Sequence, residues 1–160
     1  MLLAVFSDSH GDRRRMEAVI RREHPDAVIF LGDGLRDLEA VRSRFPALPF
    51  TAVRGNCDRE SFGYEDSAFF EPDGFRIFCA HGHNHGVKYG LDKFGTSVLC
   101  SGSALGLFGH THRAFYREVG GVILMNPGSI GDGLHPTYGL ITVENGSAVC
   151  RIPEYREDEA

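Results

Sequence analysis

Seven residues of metal-ligating type fall in five short clusters: Asp8 with His10, then Asp33, Asn56 and His81, and finally His110 with His112. All offer oxygen or nitrogen, and no thiolate is needed. Such donors suit Mn, Zn, Fe or Mg-type ions better than a structural zinc held by cysteines. Seven groups exceed what one catalytic metal takes while keeping an open position. They suffice for two metals if one carboxylate bridges. Two metals about 3.5–4 Å apart clamp the attacking and leaving oxygens of an in-line phosphoryl displacement. Two dications against two aspartates also leave a positive centre for a phosphate, although the chain carries a formal net charge of -5.

Taken singly, each cluster has a plainer reading. An Asp after a strand is commonly a helix cap, and a lone His-x-His pair is commonly exposed or satisfied by neighbours. Their placement ties them together. Residues 2–6, 27–31, 50–53, 76–80 and 104–108 are short, largely apolar runs, and each stops at one cluster. Continuous apolar runs of this length are expected of strands buried on both faces. If the last run continues as a strand, His110 and His112 at i and i+2 leave the same face, side by side. Asp8 and His10 share that spacing.

The elements between the runs are helical. Met16, Val19 and Ile20 recur at helical spacing with Arg13, Arg14, Arg15, Arg21 and Arg22 turned mostly outward, and His24-Pro25 ends the helix. Leu35, Leu38, Val41 and Phe45 mark a second helix that stops before Pro46. Strands alternating with helices predict a parallel sheet with right-handed crossovers, and ligands in such sheets gather beyond the carboxyl ends of the strands. Residues 89–99 are weakly helical, interrupted by Gly90 and Gly95. The final third reads as four strands with hairpin turns at Gly120-Gly121 and Asn145-Gly146, and with Asn126-Pro127-Gly128-Ser129 as a turn. It predicts a second, mostly antiparallel sheet packed face to face on the first.

Composition bounds the function. With 160 residues, 42% hydrophobic and 24% charged, the chain fits one domain over residues 1–160, with a frayed acidic tail from about residue 154. No basic run is longer than Arg13-Arg14-Arg15, which argues against a protein that coats nucleic acid. No apolar stretch approaches the about 20 residues of a membrane span. Cys57, Cys79, Cys100 and Cys150 lie far apart and are read as mostly buried, reduced thiols of a cytoplasmic protein.

Taken in order, Asp8-x-His10, Gly32-Asp33, Gly55-Asn56-x-Asp58, His81-Gly82-His83 and Gly109-His110-Thr111-His112 resemble the motif set of the calcineurin-like metallophosphoesterase superfamily. The resemblance is greatest to its small single-domain bacterial and archaeal phosphodiesterases. It runs from residue 3 to about residue 143 and includes Asn126-Pro127-Gly128-Ser129. It implies an α/β fold, a four-layer α/β/β/α sandwich of two mixed sheets. It also implies two divalent ions, Mn foremost with Zn, Fe, Ni, Co and Mg as alternatives, and hydrolysis of a small phosphodiester by a metal-bridging hydroxide. In that scheme Asp8, His10, Asp33 and His112 hold one ion. Asp33, Asn56, His81 and His110 hold the other, with Asp33 bridging. Asp58 and His83 are the catalytic candidates beyond the ligands: Asp58 would orient a histidine or backbone group, and His83 would touch substrate or leaving group. Asn56 and Arg59 join His83 as substrate-binding candidates. Arg54 and Arg113 also adjoin motifs and could steady a phosphate.

Cys57 departs from the superfamily pattern. Many members have His at this place, thought to protonate the leaving group. A thiol there is expected to pack rather than donate, which favours activated diesters over monoesters. His85 and His135 are expected on surface loops. Two other functions fit the same fold. One is a non-catalytic protein-interaction scaffold like the retromer scaffolding subunit. The other is a small metal-dependent nuclease, although larger nucleases of the superfamily carry extra segments that this chain lacks room for. Exposed edges around Phe69-Phe70 or Phe115-Tyr116 could pair a second copy of the chain.

Overall fold

The computed structural model describes residues 1–157. The first strand, β1 (Leu2–Phe6), pairs in parallel with β2 (Ala27–Phe30), and β2 with β3 (Phe50–Ala52). The helices α1 (Arg13–Glu23) and α2 (Leu35–Arg44) make the crossovers. β1 is buried on both faces with a period of two. Ala4 and Phe6 join the core under α1 and α2, while Leu3 and Val5 face the other sheet. Pro25 follows the left-handed cap of α1 at His24, whose N–H bonds the Ile20 carbonyl.

A second sheet contains β4 (Ser67–Phe70), β5 (Ile77–Ala80), β6 (Leu105–Leu107), β7 (Ala114–Val119) and β8 (Val122–Pro127), in the order β4-β5-β6-β8-β7. Helix α3 (Asp92–Cys100) covers its outer face through Phe94 and Val98. The layers are therefore α1/α2, first sheet, second sheet, α3, which is the four-layer α/β/β/α sandwich of two mixed sheets. Leu105, Leu107, Ile77 and Met125 pack against Val5, Ile29 and Leu31 between the sheets. Each such side chain contributes about 1.5–3 kcal/mol by leaving water.

The final third does not form a sheet of its own. The hairpin β7–β8 completes the second sheet, where β6 and β8 run parallel. The hairpin β9 (Gly139–Glu144) and β10 (Ser147–Arg151) instead joins the first sheet, with β9 antiparallel to β1. Both glycine-containing turns close hairpins as expected. A turn fixes only its own two strands, so alternation alone cannot assign a hairpin to a sheet. The strand β8 also runs on through Asn126 and Pro127, so the expected turn begins only at Gly128. The C-terminal segment stays attached later than expected. Thr137 bridges Glu154, and Tyr155, 9% exposed, bonds the Pro136 carbonyl through its N–H. The end of the expected tail, residues 158–160, lies outside the described residues.

Candidate metal centre

Five loops leave the carboxyl ends of β1, β2, β3, β5 and β6, and they converge where the two sheets meet. They carry all seven candidate ligands. Two groups of donor atoms form there, each with its atoms within 4.8 Å of one another: Asp8, His10 and His112 in one, Asp33, His81 and His110 in the other. Asn56 joins the second, its Oδ1 3.1 Å from His81 Nε2. The groups abut, since His81 Nε2 stands 4.0 Å from Asp8 Oδ1. Asp8, Asp33 and His81 form a buried floor, while His10, His112 and Asn56 form an exposed rim.

The clusters are loops and not strand continuations. β1 stops at Phe6 and β6 at Leu107. Among the described residues nine non-glycine residues have positive φ, and five of them are candidate ligands: Asp8, His10, Asp33, His110 and His112. Such conformations cost free energy and gather at functional sites. They also overturn the expectation of two histidines side by side. The same i, i+2 spacing brings Asp8 and His10 into one group but sends His110 and His112 into different ones.

The surrounding structure holds each ligand. His81 Nδ1 lies 2.7 Å from the Leu31 carbonyl, which can only accept, so Nδ1 carries the hydrogen. In the neutral ring that a ligand requires, Nε2 is then a lone pair facing Asp33 Oδ2 at 3.4 Å and Asn56 Oδ1 at 3.1 Å. Acceptors aimed at acceptors call for a cation between them. Asp8 is similar. Its Oδ2 accepts from Ser7 Oγ at 2.5 Å and from the His110 N–H at 3.1 Å. Its Oδ1 is buried without a hydrogen-bond partner, although His112 Nε2 is 3.1 Å away and His10 Nε2 3.8 Å. A buried carboxylate oxygen of this kind is costly unless a cation meets it. The donor set and these orphaned groups fit two divalent ions.

Burial and neighbouring charges set how these groups titrate. Burial pushes the Asp8 carboxyl above its ordinary value despite the nearby imidazoles. Burial also opposes ionisation of Asp33, but His81 and the Cys57 N–H outweigh it and hold the carboxyl below the usual range. Burial, then His81 and Lys88, push His110 down to about 4, so its imidazole is neutral at pH 7, as a ligand must be. For His81 burial acts in the same direction, but Asp33 and Asp8 more than offset it and raise its pKa.

Several residues position the ligands. Asp58 accepts four backbone N–H groups: Asp33 and Gly55 on Oδ2, Gly34 and Leu35 on Oδ1, all at 2.8–2.9 Å. It thereby caps α2, whose N-cap Gly34 has no side chain to do so, and ties the β2 and β3 loops together. Asp58 thus orients backbone. The expectation had singled it out but could not name those partners. Four supports escaped the sequence reading. Ser7 aims Asp8. Asp37 accepts from Ser9 Oγ and the Gly11 N–H. Buried Asn126 donates to the Gly109 carbonyl and Thr111 Oγ1, at 2.8 and 3.0 Å. Ser129 Oγ donates to the Asp8 carbonyl at 2.8 Å. Asn126 and Ser129 stood in a motif that reads locally as a turn, so only the fold reveals what they hold.

The remaining candidates are placed as follows. His83 is half-buried beside the second group, its ring 5.4 Å from that of His81, with Nδ1 buried and unpartnered. Burial and His81 lower its pKa. Arg59 is exposed in a cleft with Cys57. Arg54 is engaged by Asp66 through two bonds at 3.0 and 2.8 Å. Cys57 is exposed, not buried, because the β3 loop turns it toward the rim. Cys100 is exposed as well, Cys150 is half-buried, and Cys79 alone is fully buried. His85 is not a free surface residue, since its ring packs edge-on against Phe78 and Phe94 at 6.0 and 5.3 Å. His135 is exposed and pairs with Glu154 at 3.0 Å.

Known proteins resemble this chain. Residues 1–146 match the calcineurin-like phosphoesterase superfamily domain. The chain is 29% identical over 170 residues to a probable metallophosphoesterase, YsnB, of Bacillus subtilis, covering 99% of this chain and 94% of that protein. It is 25% identical over 180 residues to a phosphodiesterase of Methanocaldococcus jannaschii, covering 98% of each. A conserved, uncharacterised, predicted phosphoesterase from Streptococcus pneumoniae superposes with a TM-score of 0.81 at 26% identity, covering 96% of this chain and 88% of that one. At 20% identity the zinc complex of Entamoeba histolytica Vps29 shares the fold, with a TM-score of 0.78 and cover of 96% and 99%. With the motifs, the two ligand groups and the match over residues 1–146 all in agreement, the chain belongs to the calcineurin-like phosphoesterase superfamily.

Proposed function

We propose that this protein is a dimetal-dependent phosphodiesterase that acts on a small diester in a reducing, cytoplasmic setting, with Mn the foremost ion. The observation that carries this reading is the meeting of two three-residue ligand groups beside a buried, unpartnered Asp8 Oδ1. When bound there, two divalent ions supply Lewis-acid polarisation of a phosphoryl oxygen and a water acidic enough to attack at neutral pH. The chain's own residues do the rest. Asp8, Asp33 and His81 exclude solvent from the floor. His83, kept neutral by burial, offers an imidazole to the substrate or leaving group beside His81. Arg59 at the rim can meet a phosphoryl oxygen.

Cys57 supports diesters over monoesters. Partial desolvation at the rim, a hydrogen bond to Asp33 and the Asp33, Asp58 and Asp8 charges raise its thiol pKa, so it keeps its proton and is a weak acid for a leaving group. Substrates whose leaving groups need little protonation are then favoured. The phosphodiesterase name of the M. jannaschii relative supports the same choice. The likeness to Vps29 favours a second reading, a metal-binding scaffold. The full complement of seven candidate ligands weighs toward the enzyme.

The test is hydrolysis of bis(p-nitrophenyl) phosphate by Mn-loaded protein. Turnover is expected, with a loss of about 100-fold or more in Asp33→Asn, which weakens a ligand of the floor. A fully loaded protein inert to this diester and to a panel of others contradicts the enzyme and leaves the scaffold.

A further inference from the structure

Two clefts that differ in charge lie beside the metal centre. One, of about 440 Å³, runs past Cys57 and Arg59 and is lined by four carboxylates, those of Asp33, Asp37, Asp58 and Glu60. One of its two arginines, Arg36, is neutralised by Glu60 at 2.5 Å. The other cleft, of about 680 Å³, lies between residues 87–91 and residues 111–115. Its volume falls in the about 300–1,000 Å³ range of small-molecule sites. It is lined by Lys88 and Arg113 and by no carboxylate. Among the described residues neither cation has an ion-pair partner, whereas Arg54, one loop away, is fully engaged by Asp66.

This basic cleft adjoins the loop that carries two of the ligands. Thr111 lines it and sits between His110 and His112, and Asn126 fixes its hydroxyl. Lys88 is within electrostatic reach of His110. The floor is apolar, formed by Phe108 and Phe115 at 5.9 Å. The outer face of Phe115 is taken by Arg117, 5.6 Å above the ring. The free aromatic surface is Tyr89, 97% exposed at the rim on the turn closed by its N–H to the Gly86 carbonyl.

A flat apolar platform beside two uncompensated cations matches a ligand with a ring at one end and a phosphate at the other. We propose that this cleft seats one arm of the diester, and that the arm is a phosphorylated nucleoside. Its base stacks on Tyr89, which any base can do, and its additional phosphate lies between Lys88 and Arg113. The assignment rests on the phosphodiesterase reading and adds the substrate class. The carboxylate-lined cleft repels the same arm and so orients the diester. Two isolated cations on an acidic chain suit a small nucleotide and not a polynucleotide track.

The test is calorimetry of Mn-loaded protein with thymidine 3′,5′-bisphosphate and with thymidine. Tighter binding of the bisphosphate is expected. Lys88→Ala and Arg113→Ala should each weaken the bisphosphate about tenfold and thymidine about twofold or less. Tyr89→Ala should weaken both. All three side chains are exposed, so the variants keep their fold. Equal bisphosphate affinity in wild type and variants, no binding by wild type, or an oligothymidylate that displaces the bisphosphate at lower concentration overturns the assignment. Turnover of bis(p-nitrophenyl) phosphate is read separately. Inert protein that still shows the Lys88 and Arg113 dependence sinks the phosphodiesterase reading while the nucleotide site stands.

Discussion

Asp8 Oδ1 and His112 Nε2, 104 positions apart in the chain, lie 3.1 Å from each other, at hydrogen-bonding distance but without a hydrogen bond. Both belong to a group aimed at a common centre. Metal should therefore stabilise the fold. At a free concentration about 100 times its Kd, one ion adds about 2.7 kcal/mol, which raises Tm by about 5–10 °C for a chain of this size. Asp8→Asn should reverse the balance. It removes a buried charge, and its amide can donate toward the imidazoles. In chelator its Tm should exceed that of wild type, and Mn should add little. Thermal scans with and without chelator check both outcomes.

Asp58 is expected to be a stability residue as much as a site residue. Asp58→Ala strands four backbone N–H groups on two loops. Loss of about 2–4 kcal/mol is expected. Asp58→Asn keeps one acceptor and should fall between. Denaturant unfolding measures the cost, and a weaker metal affinity in both variants would mark the loop as the link.

Gly109 is fixed by space. A Cβ there would lie 1.9 Å from Ser7 Oγ and 2.9 Å from Asp8 Oδ2. Gly109→Ala should displace the hydroxyl that aims Asp8 and so lower metal affinity more than stability. Adding Ser7→Ala removes the closest atom and should restore part of the binding. Metal titration of the single and double variants decides, and equal affinities in the two would contradict this role for Ser7.

Much of this was legible in the residues because it depends on local rules. Apolar runs such as residues 27–31 announced buried strands, and the polar clusters after them announced loops at one sheet end. The division of the final third between two sheets was not legible, since β9 finds β1 only through tertiary packing. The split of His110 from His112 was implied by the family resemblance but not by the spacing. It depends on positive φ at both residues, which pattern reasoning about an extended strand cannot foresee. Cys57 and His85 exchanged expected environments. A loop's outward turn exposes the one, and Phe78 with Phe94 draws in the other.

The thiols give a separate check on the packing. In native protein Cys57 and Cys100 should react with Ellman's reagent, and Cys79 only after unfolding. Burial pushes the Cys79 thiol up to about 12, against about 8.5 in an unfolded chain. Between those values the unfolded chain has lost a proton that the folded chain keeps. Stability therefore falls as pH rises through that window. Cys79→Val should show a shallower alkaline decline, and an unchanged slope would count against the burial.

The central claim is that His110 and His112 serve different ions. Metal content per chain, measured on Mn-reconstituted protein, tests it most directly. Wild type should hold about two ions, and His110→Ala and His112→Ala about one each, since each variant breaks one ligand group and spares the other. Their double variant should hold none. A wild type with one ion, emptied equally by either substitution, would place both imidazoles on one metal and contradict the account.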